Sequence, residues 1–123
     1  MSGEKSIRDY KDLTVWQKAM TAAKHVYEVS CSFPPSEVYG LMSQVRRAAV
    51  SVPSNIAEGQ SRRTTKDFVH FLYVARGSLA ELDTQFRLAQ ILGFITEAQS
   101  LIVLDLVDEL KRMLYSLIVK LEQ

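Results

Sequence analysis

Gln44-Val-Arg-Arg-Ala-Ala-Val-Ser-Val-Pro-Ser-Asn-Ile-Ala-Glu-Gly59 is the stretch that decides how this chain folds. With Leu41 just before it, Val45, Ala48, Val52 and Ile56 recur three or four residues apart, which lines them along one face of an α-helix. A polar line, Gln44, Arg47, Ser51, Asn55 and Glu58, climbs beside them with the same steps. Pro53 interrupts both, because it has no N–H for the carbonyl of Ala49 and its ring crowds that turn. Two readings stay open there: a kink, or a stop with Ser51 capping a new helix. The apolar period runs on in phase through Ile56, which favours the kink. The helix is expected over Val38–Glu58, with Ser36 as N-cap and Gly59 as its stop.

On either side the same period returns. Residues 1–12 read as a flexible polar lead-in, and residues 13–123 as one domain. Thr14 and Gln17 have capping-box spacing, so a first helix is expected from about Val15. Its apolar stripe is Val15, Ala19, Ala22, Val26 and Val29, flanked by Trp16, Met20, Ala23 and Tyr27. After Gly59, Thr64 followed by Asp67 caps a third helix that runs to Leu92 before Gly93. Gly77 and Ser78 inside it suggest close approach of another backbone. Thr96 and Gln99 form a second capping-box pattern, opening a fourth helix with a seam of Val103, Val107, Leu110, Leu114, Leu117 and Leu121. Ile102, Leu104, Leu106, Met113, Ile118 and Val119 lie outside that seam, more apolar surface than one small bundle covers, so another subunit is expected to cover it. Short connections make the expected architecture all-α: an antiparallel up-down-up-down four-helix bundle.

Composition sets the outer bounds. The 123 residues are 47% hydrophobic and 24% charged, an ordinary balance for a chain that buries its own core. The longest uncharged run, Ala48–Ala57, is half what a membrane span needs, so no membrane association is expected. The lone Cys31 and the absence of a secretory pattern point to the cytoplasm. Net charge is +1, yet Gln44–Arg76 holds six basic and two acidic residues, whereas Glu81–Glu109 holds six acidic residues against Arg87 alone. Separation of this kind gives a nearly neutral protein a basic patch.

Little in the chain suggests reaction chemistry. Among the two histidines only His70, three residues after Asp67, has the acid-then-histidine spacing of a bundle metal site, and no second pair exists. Neither a nucleophile elbow nor a phosphate-cradling glycine loop is present. No metal, cofactor or catalytic residue is expected. The polar line on the second helix reads instead as a network fixing helix register or subunit geometry: Arg47, Ser51, Pro53, Asn55 and Glu58, with Gly77 and Glu81 on the third helix. A solvated face is its alternative. Arg62, Arg63 and Lys66, with His70, Tyr73 and Arg76 along one face, have the composition of a surface for phosphates and bases. Arg46 or Arg47 would assist.

Three blocks carry a resemblance: Asp12–Ala19, Gln44–Gly59 with its Pro-Ser-Asn-Ile-Ala-Glu-Gly ending, and Phe71–Glu81 with its Ala-Arg-Gly-Ser-Leu-Ala-Glu ending. Together they resemble the four-helix-bundle family of 23S rRNA intervening-sequence proteins over about residues 12–95. The resemblance implies a ring-shaped homo-oligomer, typically a pentamer, and brings no catalytic residues. The same fold resembles the accessory protein of diversity-generating retroelements, which binds a reverse transcriptase and nucleic acid. The expected function is therefore a non-enzymatic bundle that binds RNA or DNA. The alternative is a scaffold ring, for example one serving a reverse transcriptase, that never touches nucleic acid.

Overall fold

A computed structural model describes residues 9–123. Among these residues there are four α-helices and no strand: α1 (Thr14–Ser30), α2 (Leu41–Gln60), α3 (Thr65–Ile91) and α4 (Glu97–Glu122). Each packs on two neighbours, α1 on α2, α2 on α3, α3 on α4 and α4 back on α1, with the α2–α3 seam the most extensive. Val26, Val45, Val52, Ile56, Leu72, Leu79, Leu82, Phe86, Val103, Leu110 and Leu114 are almost completely buried where the four stripes meet. None of the helices is long and apolar enough to cross a membrane. The first eight residues of the expected lead-in lie outside the described residues; Tyr10–Asp12 form one 3-10 turn, and Tyr10 meets Trp16 edge-on at 5.3 Å.

Pro53 does not end α2, which is one continuous helix with the proline buried inside it. The apolar stripe reaches the core on both sides, so burial outweighs the missing hydrogen bond, a loss of about 3 kcal/mol in an isolated helix. The caps at Thr64 and Thr96 form as expected: Thr64 Oγ1 accepts from the amide of Asp67 at 3.1 Å, and Thr96 and Gln99 close a complete capping box. Gly93 carries a φ of 79° where the chain leaves α3, the left-handed conformation that suits glycine.

Several local expectations need correction. The Thr14–Gln17 box does not form; Gln17 Nε2 reaches back to the Lys11 carbonyl at 2.8 Å and ties the 3-10 turn to α1. Ser36 does not cap α2, because Pro35–Glu37 form a 3-10 turn and Glu37 Oε1 takes the amide of Leu41 at 2.8 Å instead. Gly59 is not a stop. It lies inside α2, buried, where an added Cβ would come within 2.7 Å of Phe71 Cβ and 3.1 Å of the Phe68 carbonyl. Gly59 lets the backbone of α2 pack tightly against Phe68 and Phe71 of α3. Gly77, expected to serve that purpose, has nothing within 4 Å of its Cβ direction. Part of the surplus apolar surface on α4 is covered within the chain, since Leu104 and Ile118 are buried, while Ile102 and Val119 stay exposed.

At the end of the bundle away from Gly59, Phe33 is buried between Phe86 at 6.2 Å and Phe94 at 5.8 Å. Gln99 Nε2 donates to Ser32 Oγ at 3.1 Å beside them, so the α1–α2 and α3–α4 connections are joined directly.

Candidate nucleic-acid interface

The polar line on α2 resolves into a small network and three residues outside it. Ser51 Oγ and Ser78 Oγ share a hydrogen bond of 2.7 Å across the α2–α3 seam. Asn55 Nδ2 donates to Ser51 Oγ at 3.0 Å and to the Ser51 carbonyl at 2.8 Å, on the turn that carries Pro53. Glu58 leaves this network and pairs with Arg62. Arg47 and Glu81 instead wall a polar cavity of about 410 Å³ between α2 and α3, with Ser43, Gln44, Ser51 and Gln85. Gln85 is 92% buried, and its Oε1 has no hydrogen-bond partner among the described residues.

The six cations expected to meet nucleic acid divide among three places. Arg46 is half-buried against α1. Its Nε donates to Ser30 Oγ at 2.9 Å, its Nη2 to the Tyr27 carbonyl at 3.2 Å, and its guanidinium lies 4.6 Å from the Tyr27 ring centroid. The same Nη2 lies 3.5 Å from the sulfur of the exposed free Cys31. With its fork occupied, Arg46 joins α1 to α2. Arg47, one residue on, is exposed beside the groove of about 700 Å³ formed by Tyr27, Val38, Tyr39, Met42 and Val50.

Arg62, Arg63 and Lys66 sit together at the α2–α3 turn. Arg62 Nη2 pairs with Glu58 Oε2 at 2.7 Å and its guanidinium lies 4.8 Å from the Phe71 ring centroid, which holds the turn against α3. Arg63 and Lys66 are exposed and have no ion-pair partner among the described residues. They stand at the N-terminus of a 27-residue helix, whose first amides and dipole add positive potential at that point. Asp67 in the first turn offsets part of it.

Arg76 belongs to neither group. It faces α4, where it meets Lys111, Arg112, Tyr115 and Ser116. These α4 residues are not among the expected sites, because they lie outside the apolar seam of α4 and beyond the acidic run that ends at Glu109. The signal was present: Lys111, Arg112, Tyr115 and Ser116 fall on one face within a single turn and a half.

Comparison with known proteins adds the family. The chain is similar to a solved structure from Bacteroides thetaiotaomicron, described as a protein with unknown function from the S23 ribosomal protein family. The similarity covers 85% of this chain and 98% of that one, at 21% identity and a TM-score of 0.79. At that identity the likeness concerns the fold alone. No curated protein matches the chain. The family model described as 23S rRNA-intervening sequence protein matches residues 11–116. The chain belongs to the family of 23S rRNA-intervening sequence proteins.

Proposed function

We propose that this protein is a non-enzymatic nucleic-acid-binding bundle of the cytoplasm, acting as a ring-shaped homo-oligomer, a pentamer, on RNA or DNA. Arg63 and Lys66, exposed and unpaired among the described residues at the positive end of α3, are the observation that carries this reading. The family description ties its members to 23S rRNA, which supports RNA as the first ligand to test. Contacts of Ser30 with Arg46, Gly59 with Phe68 and Phe71, and Ser32 with Gln99 each join the end of one helix to the start of another and support helices running alternately up and down. In that arrangement the α2–α3 turn projects from one end of every protomer, so a ring presents the turn repeatedly and sums weak contacts.

The test is a binding titration with a labelled 23S rRNA fragment across a salt series. Neutralised phosphates give a steep fall of log K with log salt. Arg63→Glu/Lys66→Glu is expected to weaken binding at least tenfold and flatten that slope. Unchanged binding would remove these residues from the interface.

A second reading has its own observation. The groove between α1 and α2 exposes Tyr27, Val38, Tyr39 and Val50 together, with Tyr39 96% exposed. This apolar row supports a scaffold role, with a neighbouring copy or a protein such as a reverse transcriptase covering it. Light scattering that returns several times 13.9 kDa for the native protein, and the monomer mass for Val50→Asp, would assign the row to self-assembly.

A further inference from the structure

We propose that the cleft between α3 and α4 is a second nucleic-acid site, specific for single strands, in which Arg76, Lys111 and Arg112 hold phosphodiesters and Tyr115 stacks an unpaired base. This rests on the nucleic-acid reading above but uses a different part of the molecule. The cleft, about 400 Å³, is walled by Arg76, Lys111, Arg112, Tyr115 and Ser116, so every lining residue brings a cation or a hydroxyl. Among the described residues no carboxylate lines it. Asp83 Oδ2 lies 3.9 Å from Lys111 Nζ while its Oδ1 is already held by Arg87 at 2.6 Å, and Asp12 and Glu109 line the adjoining pocket with Arg112 and Ser116. Asp108, one turn before Arg112 on α4, acts on Arg87, whose pKa it helps to raise after the hydrogen bond and charge of Asp83. Asp83 is thus shared with Arg87, and Glu109 pairs with Lys18 at 3.3 Å. Arg76 and Arg112 have no ion-pair partner among the described residues.

Cations alone would suit any polyanion, and Tyr115 is what narrows the ligand. Tyr115 is 61% exposed on a helix otherwise read as a core element, one turn from Lys111 and beside the cations. A phenol ring next to a phosphate-binding cleft offers a face on which a base can stack, and only unpaired bases present that face freely. In a duplex the bases are already stacked on one another, so the ring gains nothing from it. The hydroxyl of Ser116 provides a neutral contact for a phosphate or sugar oxygen.

Fluorescence anisotropy with a labelled 12-nucleotide single-stranded RNA, and with the same strand annealed to its complement, tests the assignment on the full chain. The single strand is expected to bind at least ten times more tightly than the duplex at equal salt. Lys111→Glu/Arg112→Glu should lower single-strand affinity at least tenfold and reduce the salt slope by about 1.4, since each cation on a single strand contributes roughly 0.7. Tyr115→Ala should lose about tenfold while keeping the slope, and Tyr115→Phe should restore binding. Circular dichroism and the elution volume confirm that each variant keeps its fold and assembly.

Each outcome decides something. Single-strand binding lost with Lys111→Glu/Arg112→Glu but retained with Arg63→Glu/Lys66→Glu upholds the cleft and refutes the turn as the main interface. The reverse pattern refutes the cleft and leaves the turn standing. Equal affinity for strand and duplex overturns the stacking role of Tyr115. No binding to either overturns both sites. Binding to phosphatidylserine vesicles that the same double substitution abolishes, without binding to the strand, would reassign the cleft to a lipid surface and overturn the proposal.

Discussion

Gly59 on α2 faces Phe71 on α3 so closely that a methyl group at Gly59 would lie 2.7 Å from Phe71 Cβ. Neither atom can yield without moving a helix, because the Phe71 carbon belongs to the base of its side chain. Gly59→Ala is therefore expected to destabilise the protein by about 1–3 kcal/mol, although alanine is the better helix former. Gly77→Ala meets open space and should instead stabilise by about 0.5–1 kcal/mol. Urea unfolding of the two variants should move the midpoint in opposite directions. A stabilised Gly59→Ala would show that the α2–α3 contact is looser than the geometry implies.

The serine pair across the same seam makes a quantitative prediction. Ser51 and Ser78 share one hydrogen bond at 2.7 Å, and Asn55 supports it from the next turn. Ser51→Ala and Ser78→Ala should each cost about 1 kcal/mol, and the double variant less than their sum. A double-mutant cycle should return a coupling of roughly 0.5–1.5 kcal/mol. A coupling of zero would mean that the two hydroxyls prefer other partners.

Ser100 is the opposite case. It is completely buried, and its hydroxyl has no hydrogen-bond partner among the described residues. Ser100→Ala removes a buried, unpaired oxygen and improves helix propensity, so stability should rise by about 1 kcal/mol and Tm by roughly 3–5 °C. A lower Tm by calorimetry would reveal a partner for that hydroxyl.

Arg46 and Arg63 lie on the same chain segment's two sides but should respond differently to substitution. Arg46→Lys loses the fork that spans Ser30 Oγ and the Tyr27 carbonyl, together with the ring contact, and should cost about 1–2 kcal/mol. Arg63→Lys, at an exposed position, should lie within about 0.5 kcal/mol of the native protein. Thermal unfolding monitored by circular dichroism separates the two. Equal stability of both variants would mean that Arg46 does not join α1 to α2.

Much of the fold could be read from spacing because its determinants are local. Val45, Ala48, Val52 and Ile56 announce α2 even across Pro53, and Thr64 and Thr96 mark their helix starts with side chains that reach only three residues. The misreadings come where a local rule had a competitor. Gln17 found the Lys11 carbonyl before it found its own helix start, and Glu37 supplied the cap expected of Ser36 because Pro34 and Pro35 had already turned the chain. Gly59 looked like a stop, since sequence cannot distinguish a glycine that ends a helix from one that admits a phenylalanine. The candidate sites were less legible. Arg62, Arg63 and Lys66 adjoin in sequence and in space, whereas Arg76 meets Lys111 and Arg112 only because α3 and α4 pack with a particular rotation. No period in either helix states that rotation.

Phe33, wedged between Phe86 and Phe94, gives the molecule a mechanical asymmetry. The two connections it joins are riveted by aromatic packing and by the bond from Gln99 to Ser32, while the turn at Ser61–Thr64 is exposed. The molecule is thus tied by aromatic packing and a hydrogen bond between two connections and left exposed at the cationic turn. Amide hydrogen exchange should show it directly: Phe33 and Phe94 are expected to exchange only with global unfolding, and Arg62 and Arg63 through small local openings. Slow exchange at Arg62 and Arg63 in the free protein would contradict this picture.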